Sequence, residues 1–105
     1  MVQNYKITIQ SLKEDLISQL EKNGKVNQQN LELVNDYVSF YKIKKDLIKD
    51  VKKRGVTVEY NNGGGQKGYK KNESIAELVK VNAQMIKILQ HLDIKLSGES
   101  NEPEL

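Results

Sequence analysis

The chain has 105 residues, 37% of them hydrophobic and 30% charged, and contains no cysteine. That length allows one domain with a modest core, and the lack of cysteine excludes disulfides and thiolate metal sites. No apolar run is long enough to cross a bilayer and the first ten residues lack the apolar stretch of a signal peptide, so a cytoplasmic protein with no membrane partner is expected.

The net charge is +3, unevenly spread: residues 1–41 carry 4 basic and 5 acidic side chains, residues 42–71 carry 10 and 3, and residues 72–105 carry 3 and 6. The central block, at +7, is the electrostatic footprint of a polyanion-binding protein, and the polyanion is most often nucleic acid.

The pattern predicts a mainly α protein. Its first helix spans about residues 9–23, with Ile9, Leu12, Leu16, Ile17 and Leu20 as an apolar stripe and Gly24 as its stop. Ser11 and Glu14 also fit a capping box, which would start the helix later. The second helix spans about 28–54, between Asn27 as N-cap and Gly55 as C-terminal stop. Leu31, Val34, Val38 and Tyr41 share one side of it, Phe40, Leu47 and Val51 another, and Tyr37 and Ile48 lie between. A helix apolar on two sides packs against its own domain and against something else.

Further along the same helix Lys42, Lys45, Lys49 and Lys52 recur at i, i+3, i+7 and i+10, with Lys53 beside them. Such a strip can grip a phosphate backbone by charge without reading sequence; the alternative is a solvated face that complements the helix dipole.

The period then changes. Val56–Tyr60 alternates with β-branched and aromatic residues, Asn61–Gly65 is a strong turn signal, and a short β-hairpin is expected over about 56–70. A two-stranded hairpin is marginal alone, so it should lie on the helices or join a neighbouring subunit. Its triple glycine lacks the pattern and strand-to-helix setting of a phosphate-binding loop. Lys67, Lys70 and Lys71, with Tyr60 and Tyr69, fit a basic-aromatic nucleic-acid contact, or are ordinary hairpin residues.

The third helix spans about 73–94, beginning near Asn72 or Ser74, with Ser74 and Glu77 in a capping-box pattern. Ile75, Leu78, Val79, Met85, Ile86, Leu89 and Leu92 share a face, Asn82 falls near its middle, and Val81 and Ile88 widen it beyond what one partner helix needs. A buried amide costs roughly 1–3 kcal/mol without a partner. Asn82 is therefore expected to bond across a helix–helix seam, or else to the hairpin backbone or water. The candidate oligomer interface is Tyr37, Phe40, Val81, Asn82, Met85 and Ile88. Residues 1–96 read as a single helical domain, and 97–105 as a disordered acidic tail.

No set of residues supports catalysis. His91 is the single histidine and reads as a rim residue. Asp46 and Asp50 sit among lysines, where i,i+4 pairing accounts for them, and Ser39 and Ser74 have no nearby base. No catalytic residue, metal ligand or cofactor is expected.

Residues 26–96 resemble the small subunit of a tailed-phage terminase. The shared order is a long helix bearing aromatics (Tyr37, Phe40 and Tyr41), a terminating glycine (Gly55), an extended segment and glycine turn (Val56–Tyr60 and Gly63–Gly65), and a last leucine-bearing helix. Glu73 stands where that pattern has proline, and Asp93-Ile94 where it has glycine-leucine. The resemblance implies a non-enzymatic protein of the infected bacterial cytoplasm. It would bind viral double-stranded DNA near the packaging start, assemble into a homo-oligomeric ring, and regulate the large terminase subunit, which carries ATPase and nuclease. The acidic tail (Glu99, Glu102 and Glu104) would contact that subunit. Two other readings stay open: a helical scaffold or connector with no nucleic-acid role, and a small transcriptional regulator whose helix-turn-helix would use Lys22, Lys25 and Gln28.

Overall fold

The computed structural model describes residues 7–94, so the expected acidic tail lies outside the described residues. The order is α1 (Ile9–Lys22), α2 (Gln28–Arg54), β1 (Thr57–Gly63), β2 (Gln66–Lys71) and α3 (Glu73–His91). Three helices with one antiparallel hairpin between the second and third match the sequence-based architecture.

The caps explain where the helices begin and end. Thr8 caps α1: its Oγ1 accepts from the Ser11 N–H at 3.0 Å, and the Ser11 Oγ accepts from the Thr8 N–H at 3.0 Å. Ser11 is thus the third helical residue of a capping box and not the alternative start, and Glu14 instead accepts from Gln10 at 2.6 Å. α1 closes at Gly24, φ +67°, with the Lys25 N–H on the Leu20 carbonyl at 2.8 Å and the Gly24 N–H on that of Glu21 at 3.2 Å. Asn27 caps α2 through the Asn30 N–H at 2.8 Å, and Gly55, φ +86°, ends it.

α2 is about 40 Å long at 1.5 Å per residue. α3 runs back along it and α1 covers its first half. The core sits where all three meet: Leu16, Leu20, Val34, Ile88, Leu89, Leu92 and Ile94 are buried together, with Ile17, Leu33, Tyr37 and Phe40 packed around them. Burying each of these large side chains stabilises the fold by roughly 1.5–3 kcal/mol. The core is gathered at one end, so the second half of α2 keeps α3 as its packed helix and turns its other sides to solvent.

On α3 the inward face is Val81, Met85, Ile88, Leu89 and Leu92, at helical spacing. Asn82 is half-buried, on the flank shared with Val79 and Ile86, which are 65% and 51% exposed. The broad apolar circumference is therefore two surfaces, and Asn82 belongs to the outer one instead of the middle of the inner one. Among the described residues no buried side-chain polar atom lacks a partner, so the Asn82 amide needs no internal partner.

The start of α3 differs from the Ser74–Glu77 capping box. Asn72 is the N-cap, accepting from the Ser74 N–H at 2.9 Å. Ser74 lies inside the helix, and its hydroxyl donates to Asp50 Oδ2 at 2.6 Å. At the other end Leu92 is the C-cap and Asp93 takes φ +60°.

The hairpin is longer and its turn tighter than the sequence suggests. Thr57 pairs with Lys71, Glu59 with Tyr69, Asn61 with Lys67 and Gly63 with Gln66, with a register irregularity between Asn61 and Gly63. That leaves a two-residue loop, Gly64-Gly65, at φ +57° and +82°. Positive φ at both loop positions is what a type I′ turn demands, and it suits the twist of the strands. Among the described residues the hairpin's main contacts are between its own two strands, and the chain holds it at its base.

Candidate nucleic-acid interface

Lys42, Lys45, Lys49, Lys52 and Lys53 are all exposed along the second half of α2. Lys42 and Lys52 are ten residues apart, about 15 Å along the axis. The ion pairs among the described residues join Lys25 to Asp93, Arg54 to Asp50 and Glu73, Lys70 to Glu73, and Lys80 to Glu77. None takes a lysine of the strip. Lys45 instead lies over the Tyr41 ring, 5.6 Å from its centroid, a contact that orders the ammonium without neutralising it.

Of the two aspartates expected to pair with these lysines, Asp46 makes no ion pair among the described residues, and Asp50 is engaged elsewhere. Its Oδ1 accepts from Arg54 Nε at 2.7 Å and its Oδ2 from Arg54 Nη2 at 2.8 Å, a bidentate pair. With the Ser74 hydroxyl as a further donor, these bonds hold the Asp50 carboxyl well below its usual range and raise Arg54. Arg54 Nη2 also donates to Asn72 Oδ1 at 3.1 Å. Asn72, 1% exposed, donates from Nδ2 to the Gly55 carbonyl at 3.0 Å and from its backbone N–H to that of Val56 at 2.7 Å. One buried amide thus ties together the end of α2, the start of β1 and the start of α3. Glu73 is lowered by a hydrogen bond from its own backbone N–H, then by Lys70 and Arg54. The chain's single arginine is therefore a clamp at the hairpin's root. Sequence reasoning assigned Asp50 to the lysines; the i,i+4 spacing to Arg54 was the available signal, while Ser74, 24 positions on, left none.

The hairpin sorts its own residues by face, because side chains alternate along a strand and cross-strand partners point the same way. Thr57, Glu59 and Asn61 share a face with Lys71, Tyr69 and Lys67; all six are exposed, Tyr69 at 75%. Val58, Tyr60 and Gly68 lie on the other face and are half-buried, with Lys70 beside them reaching Glu73 at 3.8 Å. The three hairpin lysines therefore do not act as one group: Lys67 and Lys71 flank Tyr69, and Lys70 points away.

Of the candidate interface residues, Val81, Met85 and Ile88 are buried within the chain itself. Tyr37 and Phe40 are partly buried against its core, and burial, then the neighbouring Tyr41, pushes the Tyr37 hydroxyl above its usual value. The apolar side chains that stay outside on the helices are Val79 and Ile86 on α3 and Ile43 on α2. His91 is exposed in the last turn of α3. Among the described residues no cluster of histidine and carboxylates is suited to hold a metal ion, and no helix is long and apolar enough to cross a membrane.

A family model described as phage terminase, small subunit, matches residues 14–101. No curated protein and no solved structure matches the chain.

Proposed function

The chain belongs to the phage terminase small-subunit family, whose role is in packaging phage DNA, and on that footing we propose that it is the non-catalytic, DNA-recognising and oligomeric component of the packaging machine. In this reading it binds viral double-stranded DNA, assembles with copies of itself into a ring, and regulates the large terminase subunit that cuts and drives the DNA in the infected bacterial cytoplasm.

The observation that carries the reading is the strip Lys42, Lys45, Lys49, Lys52 and Lys53. Each of these lysines is exposed and none has a carboxylate partner among the described residues. Opposite charge is what such an array lacks, and a phosphate backbone supplies it at a spacing of a few ångströms. The helix that bears the strip packs against α3, so the backbone positions of these lysines are set before binding.

Fluorescence anisotropy on a duplex of random sequence tests this. Binding should weaken steeply as salt rises, and charge reversal of Lys45 and Lys49 should abolish it. Tight binding that ignores salt, or binding unchanged in the reversed variant, would refute the role given to the strip.

A further inference from the structure

The α2 strip can hold DNA, but lysines on phosphates carry no sequence information. A packaging subunit that recognises a site also needs groups that reach base edges, and the exposed face of the hairpin is built from such groups.

We infer that the hairpin is the sequence-reading element: its face formed by Thr57, Glu59, Lys67, Tyr69 and Lys71 enters the major groove of double-stranded DNA while α2 grips the backbone. The inference rests on the DNA-binding reading above and adds to it the part that discriminates sequence.

Three observations carry it. The first is shape. A two-stranded ribbon fits the major groove, which is about 12 Å wide, and this ribbon has one face exposed along its length and ends in the two-residue turn Gly64-Gly65. The second is asymmetry. Val58, Tyr60 and Gly68 on one face are half-buried, whereas every residue on the opposite face is exposed. The inner face is further filled by the Tyr60 ring, which lies so close over Gly68 that an added Cβ would sit 2.7 Å from its hydroxyl. The third is chemistry. Lysine donates to guanine O6 and N7, a glutamate accepts from cytosine N4, and a threonine methyl and a tyrosine ring meet the thymine methyl. Among the described residues Glu59, Lys67 and Lys71 have no ion pair within the chain, so they reach DNA uncommitted.

The clamp at the hairpin's root completes the device. Asn72, Arg54 and Asp50 set the angle between α2 and the hairpin through bonds of 2.7–3.1 Å. The reader is thereby fixed relative to the backbone grip.

The test is enrichment sequencing on a pool of random 30-bp duplexes, comparing the full chain with a Glu59→Ala, Tyr69→Ala double variant. Both substitutions are on exposed hairpin positions, and circular dichroism checks that helicity is retained. The wild type should enrich a motif. The variant should lose preference at one to three positions of it, with discrimination there falling about tenfold and affinity for the unselected pool changing less than about threefold. A variant that enriches the same motif overturns the inference while the lysine strip stands. A wild type that binds the pool but enriches nothing overturns it too. Failure of the wild type to bind at all removes the DNA-binding reading as well. Light scattering on the same variant covers the remaining outcome: loss of assembly would assign this face to a neighbouring subunit and overturn the inference.

Discussion

Lys25 and Asp93 meet at 2.8 Å across 68 positions of sequence, and each belongs to the turn that closes a helix. The Ile94 N–H reaches the Leu89 carbonyl at 3.0 Å and the Asp93 N–H that of Gln90 at 3.0 Å, the same six-to-one and five-to-two pattern that Lys25 and Gly24 make on α1. Two matching helix ends are thus joined by one ion pair beside the core.

The turn on α3 has a cost that the turn on α1 avoids. Gly24 takes φ +67° freely, while Asp93 takes φ +60° with a side chain; the left-handed region costs an L-residue roughly 1–2 kcal/mol, somewhat less for Asp. This is the step where the terminase pattern has glycine, so the departure is a substitution into a position that favours glycine. Asp93→Gly should therefore exceed Asp93→Ala in stability by about 1 kcal/mol, since both lose the exposed ion pair and only one keeps the strain. Urea denaturation of the two variants measures the difference; equal midpoints would mean that the turn relaxes.

The clamp at the hairpin's root makes its own prediction. Asn72→Ala removes an amide bonded to three groups and leaves the Gly55 carbonyl and the Ser74 N–H short of a partner. The expected loss is about 2 kcal/mol, read by chemical denaturation. Proteolysis at Lys67, Lys70 and Lys71 should speed up more than global unfolding does, because the amide holds the hairpin. Equal acceleration of both would show no separate role at the root.

Asp50 adds a pH dependence. Its carboxyl is held below its ordinary 3.8 by Arg54, then by Ser74 and Asn72. A depressed carboxylate contributes stability that is complete above its unfolded pKa and is lost as pH falls through the folded value. The stability gap between wild type and Asp50→Asn should thus be constant above about pH 5 and shrink below about pH 4. Thermal melts from pH 2 to 7 would show it; a gap that widens on acidification would contradict the assignment.

The sequence made legible what is local and hid what is tertiary. Asn27, Gly24 and Gly55 mark helix ends through groups a few residues away, so their roles could be read directly. Ser74 offered as good a cap as Asn72, and the choice was decided by Asp50, which no spacing rule links to it. The lysine strip needed only helical periodicity. The faces of the hairpin needed its register, which depends on a two-residue turn and an irregularity at Asn61–Gly63, and a one-residue slip would have exchanged every side chain between faces. On α3 the period revealed a wide apolar surface but not its division, since nothing local tells Val81 from Val79.

That division yields the last prediction. Ring assembly needs apolar surface left over after the chain has folded, and the inward residues of α3 supply none: Val81, Met85 and Ile88 are each no more than 8% exposed. Ile75, Val79, Asn82 and Ile86 recur at alternating steps of four and three, the period of a helix–helix seam, and Val79 and Ile86 are open to solvent. In an assembly built on this face Asn82 would sit inside the seam, where an amide would fix register at some cost in stability. Val79→Glu with Ile86→Glu should lower the solution mass toward that of a monomer while leaving helicity intact. Ile88→Ala should do the reverse, costing roughly 2–5 kcal/mol of fold stability through the cavity it leaves. Light scattering after size exclusion, with circular dichroism on the same samples, separates the two. An assembly that survives the double glutamate variant would move the seam to another face, with Ile43 on α2, 46% exposed, the next apolar residue to test.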